Sequence, residues 1–255
     1  MRKLGIPVVA DRVIQQAIAQ ILTPIYEEQF NDCSFGFRPN RSCEMAVIKA
    51  LEFMNNEYRW IVDIDLERFF DTVNHDRLLN IISRTIDDGD VISLIRKYLE
   101  SGIMIKGNLE KSEIGTPQGG NLSTLLSNIM LNELDKELEA RGLKFVRYAD
   151  YSMIFAKSEK AANRILKSIT IFIDKKLGLR VNAEKSKISR PTTTKFLGFG
   201  FWAAKNGVIK PKPHLKSIQK FKRKLKELTT RKWSISLDER IKKINQVVRG
   251  LSKLL

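Results

Sequence analysis

Phe145-Val-Arg-Tyr-Ala-Asp-Tyr-Ser-Met-Ile-Phe155 is the stretch on which the fold turns. Apolar residues run up to a tight Tyr148-Ala149-Asp150-Tyr151 turn, and a second apolar run leaves it. That pattern predicts a β-hairpin with a carboxylate held at its tip. A second acidic strand, Trp60-Ile-Val-Asp-Ile-Asp-Leu66, lies upstream, with Trp60, Val62, Ile64 and Leu66 on one face and Asp63 and Asp65 on the other. Same-face neighbours in a strand stand roughly 7 Å apart, so Asp63 and Asp65 do not grip one ion tightly without distortion. Two Asp-bearing strands that meet would hold a divalent metal and support phosphoryl or nucleotidyl transfer. The bland alternative for the upstream segment alone is a strand edge with solvated carboxylates.

The 255 residues suffice for one large domain or two or three small subdomains. The apolar fraction of 43% is ordinary, whereas a formal charge of +16 points to polyanions, chiefly nucleic acid or an anionic membrane surface. No apolar run is long enough to span a bilayer, and the N-terminus lacks a signal-peptide core. Cys33 and Cys43 match no zinc spacing and read as two structural thiols in a reduced compartment, with the cytoplasm as the expected location. The charge is uneven. From Lys205 to Leu255 sixteen Lys/Arg face three acids, a net of +13, leaving +3 for the preceding 204 residues. An appended element that grips nucleic acid explains that asymmetry better than a uniformly basic protein.

Asp11 is placed to cap a helix reaching Phe30, with Val13, Ile14, Ala17, Ile18, Ile21, Leu22 and Ile25 on one face. Phe35-Gly-Phe-Arg-Pro-Asn-Arg-Ser42 reads as a rigid loop with two exposed arginines. Helices are expected over 43–56, 76–87 and 90–101, then a hairpin over 103–114 turning at Lys106-Gly-Asn108. Gly115-Thr-Pro-Gln-Gly-Gly120 leads into a helix from Ser123 to Arg141, stopped by Gly142. Residues 158–177 form an amphipathic helix closed by Gly178, and strands are expected at 179–188 and 195–202. Lys210-Pro-Lys-Pro-His214 reads as a linker to two basic helices. The first carries an apolar stripe of Leu215, Ile218, Phe221, Leu225 and Leu228. The second opens on a Ser236/Glu239 capping box and turns Ile241, Ile244, Val248 and Leu251 inward. It has no stop signal before Leu255, as expected of an excerpt from a larger module.

Taken in order, several motifs resemble a reverse transcriptase: Asp65-Leu-Glu-Arg-Phe-Phe-Asp71 with Asn74-His75, Gly115-Thr-Pro-Gln-Gly-Gly120, Tyr148-Ala-Asp150 and Phe196-Leu-Gly-Phe199. Leu4-Gly-Ile-Pro7, Asp11-Arg-Val13 and Phe35-Gly-Phe-Arg-Pro-Asn-Arg-Ser42 narrow the resemblance to the bacterial group II intron-encoded maturase type, over almost the whole chain. The resemblance implies an α+β right-hand polymerase. Fingers would occupy 1–59 and 75–118, the palm with its antiparallel sheet 60–74 and 119–204, and the start of a helical thumb 205–255. Asp65 and Asp150 match the catalytic metal ligands for Mg²⁺, with Mn²⁺ as the substitute ion. Arg2 matches a fingers arginine on the triphosphate, suited to charge-assisted guanidinium–phosphate pairing. Phe70 matches the gate whose ring leaves no room for a 2′-hydroxyl. Gln118 and Gly119 resemble the loop that packs on the incoming nucleotide, where glycine permits close backbone approach. Phe196, Leu197 and Gly198 resemble the primer grip, and Lys185 a lysine that protonates pyrophosphate. Lys216, Lys220, Lys222, Arg223 and Lys224 form the basic face expected to hold nucleic acid. The implied partners are an RNA template, intron RNA, a DNA primer and deoxynucleoside triphosphates, with no membrane.

On residue type alone Phe70 reads as core sooner than as gate, Gly119-Gly120 as a helix-entry turn and Lys185 as a solvated lysine. His75 reads as a local cap or packing residue. The chain opens at the edge of the fingers, without the lysine and β-turn that family members place before Arg2. More consequentially, Tyr151 stands where the family has a second hairpin aspartate. Two divalent ions about 4 Å apart repel by roughly 17 kcal/mol at an effective dielectric near 20. A tyrosine with a pKa of about 10 supplies no anion at neutral pH to offset that. Two readings therefore stand: a reverse transcriptase domain impaired at this position, or an intron-RNA-binding maturase or degenerate fragment without catalysis. An RNA-dependent RNA polymerase is a third, disfavoured by Phe70.

Overall fold

A computed structural model describes residues 7–105, 108–110, 114–117, 119–231 and 235–252. Helices α1 (Val9–Glu27) and α2 (Cys43–Asn55) lead to strand β1 (Trp60–Asp65). A single helical turn, α3 (Phe69–Thr72), precedes α4 (His75–Ser83) and α5 (Gly89–Glu100), and a small antiparallel hairpin follows, β2 (Ile103–Ile105) and β3 (Asn108–Glu110). Helix α6 (Ser123–Ala140) feeds the hairpin β4 (Lys144–Tyr148) and β5 (Tyr151–Ala156). Helix α7 (Glu159–Phe172) runs on through a wider turn at Ile173–Leu177 to Gly178, whose φ of +67° ends it. Then come β6 (Lys187–Ser189), β7 (Lys195–Phe196), β8 (Phe199–Ala203), β9 (Ile209–Pro213), α8 (Leu215–Thr229) and α9 (Leu237–Ser252).

The central sheet has the order β4-β5-β1-β6, antiparallel throughout. Strand alternation sends Val62, Ile64, Leu66, Phe145, Ile154 and Ala156 into a core built mainly from α6, with α1, α4, α5 and α7. The opposite set, Ile61, Val146, Met153 and Phe155, packs on α2 and on Phe196, Phe199 and Phe201 of a second sheet, β7-β8-β9. The acid-bearing sheet is thus covered on both faces along most of its length.

Several expectations need correction. Helix α1 starts at Val9, with Asp11 in its first turn and no side-chain cap. It buries Gln15, Ala19, Leu22 and Tyr26, while Val13, Ile14, Ile21 and Ile25 are exposed. Polar partners set that rotation. Gln15 Oε1 accepts the Asn121 N–H, and the Tyr26 hydroxyl donates to the Ile82 carbonyl. Arg38 is buried, with two nitrogens on Glu27 and a third on the carbonyls of Asn31 and Ser34, so it is a loop fastener, not an exposed arginine. The strand expected over 179–188 is mostly a turn. Asn182 Oδ1 accepts the N–H groups of Glu184 and Lys185, and only Lys187–Ser189 pairs as β6. The stretch 195–202 is a hairpin folded at Leu197 and Gly198, both at positive φ (47° and 93°). The presumed linker is strand β9, whose two prolines are tolerated because it lies at the sheet edge. In α9, Glu239 N–H bonds Ser236 Oγ as the cap expects, but Ile241 and Val248 are exposed on a helix whose main packing neighbour is α8.

Both cysteines are free and half-buried. Among the described residues no helix is long and apolar enough to cross a membrane.

Candidate active site

The register of the central sheet pairs Asp65 with Tyr151 and Asp63 with Met153. Directly opposed residues share a face, so Tyr151, Asp65 and Asp63 project on the same side. Asp150 is the turn residue adjoining Tyr151, and the structure therefore brings Asp65 and Asp150 to the same end of the sheet. Ala149, at φ +56°, makes the tight turn between Tyr148 and Asp150.

Loop 180–186 clasps the end of β1. The Asp65 carbonyl accepts the Asn182 N–H at 2.8 Å, and the Asp65 N–H donates to Ser186 Oγ at 3.1 Å. Lys185 Nζ sits 3.4 Å from Asp65 Oδ1, with its own side chain more than half exposed. The lysine that could pass for plain surface charge is thus the counter-ion of the first acid.

Asp63 is in a different state. It is buried, and accepts the Tyr151 hydroxyl at 2.5 Å and the Ser189 hydroxyl at 3.2 Å. Burial pushes its carboxyl above the ordinary range, against the opposing pull of those hydroxyls and of Lys187. Burial raises the Tyr151 phenol further still, helped by the charges of Asp63 and Asp65 and by its hydrogen bond to Asp63. At neutral pH the phenol is therefore protonated and donates its proton to Asp63.

The Tyr151 ring stacks on Phe196, centroids 5.7 Å apart and planes 29° apart. Phe196 is buried, whereas Leu197 and Gly198 form the turn beside it. The Gly198 carbonyl accepts the His214 N–H and the Ser217 hydroxyl, which ties this hairpin to the start of α8. Along α8, Lys216, Lys220, Lys222, Arg223 and Lys224 are all exposed, the last two leaning on Glu227.

Phe70 is half-buried, edge-on to Phe69 at 5.2 Å. Its carbonyl accepts the Thr116 N–H, the Gly115 N–H bonds the Val73 carbonyl, and buried His75 Nε2 lies 2.6 Å from the Gly115 carbonyl. A Cβ on Gly115 would lie 2.8 Å from the Phe70 carbonyl oxygen, so only glycine lets the 115–117 loop lie this close. Gly119 follows at φ +103° and is exposed. Arg2 and Gln118 lie outside the described residues.

Sequence reasoning missed a buried scaffold behind the hairpin tip. Arg147 is fully buried in β4, and its guanidinium forks onto the Asp135 carboxylate at 2.6 to 3.0 Å. Its third nitrogen reaches Asn128 Oδ1 and the Ala149 carbonyl, while Asn128 Nδ2 bonds the Gly36 carbonyl. A Cβ on Gly36 would lie 2.2 Å from Ala149 N, so that glycine admits the 33–36 segment against the tip. The available signal was an arginine inside an apolar strand and an aspartate inside an apolar helix, two charges that burial obliges to pair.

The donors restrict what a metal finds here. Among the described residues no group of three or more His, Cys, Asp or Glu side chains could hold an ion. Asp65 and Asp150 lie at the same end of the sheet, and their carboxylates are hard oxygen donors of the kind a divalent cation takes. They do not fit a tightly held pair of such ions, because Tyr151 gives its hydroxyl to Asp63 as a donor.

An antiparallel acid-bearing sheet, flanked by helices and followed by a basic helical segment, defines a right-hand nucleic-acid polymerase fold. Comparison with solved structures agrees on the fold. The apo telomerase of Candida tropicalis aligns with a TM-score of 0.61 at 13% identity, over 95% of this chain and 50% of that one. The family model for reverse transcriptase (RNA-dependent DNA polymerase) matches residues 1–201, and the model for the group II intron maturase-specific domain matches 218–253. The chain belongs to the reverse transcriptase family, with a maturase-specific segment after it. It is 32% identical to the group II intron-encoded protein LtrA of Lactococcus lactis subsp. cremoris, over 82% of this chain and 46% of that protein. Protein YkfC of Escherichia coli K12 is also 32% identical, over 74% and 59% respectively. The chain thus spans about half the length of these relatives.

Proposed function

We propose that this chain is the polymerase part of a group II intron-encoded protein. It would hold an RNA template, or intron RNA, paired with a DNA primer, and its deoxynucleotidyl transfer is strongly attenuated by Tyr151. Fingers at 1–59 and 75–118, a palm at 60–74 and 119–204 and a thumb from 205 to 255 would surround the duplex. The observation that carries this reading is the β1–β5 register, which sets Asp65 opposite Tyr151 and so beside the hairpin turn that holds Asp150.

Asp65 and Asp150 would hold Mg²⁺, or Mn²⁺ in its place, which supplies the Lewis acidity that eases ionisation of the primer 3′-hydroxyl and neutralises pyrophosphate charge. Phe70 blocks a 2′-hydroxyl and so selects deoxynucleotides. Arg2 and Gln118 with Gly119 bind the triphosphate and the nascent base pair. The Phe196–Gly198 hairpin seats the primer end, while the lysines of α8 neutralise duplex phosphates. Lys185, already at Asp65, is placed to hold the proton that pyrophosphate takes as it leaves. A second reading, an intron-RNA-binding protein without catalysis, is favoured by the Tyr151–Asp63 bond.

Primer extension on an RNA template separates the two. Tyr151→Asp is expected to raise the extension rate about 100-fold or more, since restored charge stabilisation at a two-ion site amounts to several kcal/mol. No extension by either form, with template–primer affinity intact, selects the binding protein.

A further inference from the structure

The inner face of the β7-β8-β9 sheet is spent on Phe196, Phe199 and Phe201, packed against Tyr151 and α2. The outer face has no such use. Register pairs Lys195 with Gly200 and Gly200 with Lys212, so both lysines flank the glycine on one surface. The His214 ring lies over that glycine, 3.4 Å from where a Cβ would be. Two residues further along β8, Trp202 emerges on the same surface opposite Lys210 and is 42% exposed. Lys187 and Lys216 stand at the margin, close enough to join Lys195 and Lys212 in lowering the His214 pKa, which burial depresses first.

The segment that builds this face carries no acid of its own. From Lys185 to Lys226 the chain carries thirteen Lys/Arg and neither Asp nor Glu. A large exposed indole set among lysines on a sheet suits neither a solubilising surface, which mixes charge signs, nor a protein interface, whose centre is depleted of charge. It suits bases that are free to stack and phosphates that need neutralising.

We infer that this outer face docks an unpaired nucleic-acid strand, one base stacked on Trp202 and its phosphates held by Lys195, Lys210 and Lys212. The surface lies on the far side of the sheet from Tyr151 and Asp65, so the strand it takes is separate from the template–primer duplex. It rests on nucleic acid being the partner, not on nucleotidyl transfer.

Oligouridine and oligodeoxythymidine, titrated into the full chain, test it. Stacking is worth about 1–3 kcal/mol per base, so Trp202→Ala is expected to weaken both oligomers at least about fivefold, with Trp202→Phe recovering most of the loss. Neutralising Lys195, Lys210 and Lys212 together to Gln is expected to lower the slope of log affinity against log salt by about 2, at about 0.7 per contact on single strands. The three tryptophans are Trp60, Trp202 and Trp233. In a Trp60→Phe, Trp233→Phe background, oligouridine is expected to quench the remaining emission, which reads stacking without disturbing Trp202. Unchanged emission at saturation overturns the proposal, as does an equal loss by Trp202→Ala on a blunt RNA duplex, whose bases are not free. Template–primer extension by Tyr151→Asp is scored separately, so failure of the polymerase reading leaves the oligomer result intact.

Discussion

Two buried aspartates serve the same hairpin in opposite ways. Asp135, behind the tip, meets the Arg147 guanidinium in a two-pronged, fully buried pair that also engages Asn128 and the Ala149 carbonyl. Asp63, on the face that carries Asp65, accepts hydroxyls from Tyr151 and Ser189. The first arrangement satisfies a charge with a charge and fixes where Asp150 sits. Among the described residues the second has no cation in hydrogen-bond contact, and burial makes the acid hold its proton more firmly. The supporting side of the hairpin is therefore held by a satisfied charge pair, while the side that carries Asp65 holds a buried acid bonded to neutral hydroxyls. Fold and chemistry separate across a single strand.

Breaking the supporting side gives the largest effect. Arg147→Met leaves Asp135 buried without its partner and is expected to cost about 3–5 kcal/mol in urea unfolding. Replacing both by Met and Leu should recover most of that loss. Disturbing the reacting side acts through pH. A carboxyl raised above its ordinary value of 3.8 keeps its proton in the folded chain where the unfolded chain has lost it. Stability therefore falls as pH rises from about 4 through the folded value. Asp63→Asn should flatten that part of the stability–pH curve, and an unchanged curve would show that Asp63 titrates normally. The smallest effect belongs to the exposed basic helix. Neutralising Lys220, Lys222 and Lys224 should lower the salt slope of RNA affinity by about 2, at about 0.7 to 0.9 per lost phosphate contact, with thermal stability unmoved.

The hairpin, the acidic strand and most helix limits were legible because each rests on local pattern: alternation, caps, and glycines that stop helices. Helix α2 and the stop at Gly178 needed no tertiary information. The face of α1 was not legible, since a buried glutamine and a tyrosine hydroxyl, each bonded to distant backbone, outweigh its apolar stripe. Nor was β9, where two prolines suggest a linker until the strand is seen to lie at an edge. At the site, Asp65, Asp150 and Tyr151 could be read in sequence. The Tyr151–Asp63 bond could not, because it depends on register and a neighbouring strand placing Ser189 beside them. Lys185 and Arg147 show the same limit: their partners lie 120 and 12 residues away.

The number of divalent ions bound at the hairpin tests the central claim most directly. Mn²⁺ titrated calorimetrically into the chain on a template–primer, with a non-hydrolysable deoxynucleoside triphosphate present, should saturate at one ion per complex. Tyr151→Asp should saturate at two. Two ions bound by the unaltered chain would contradict the assignment of Tyr151 as the residue that closes the second site.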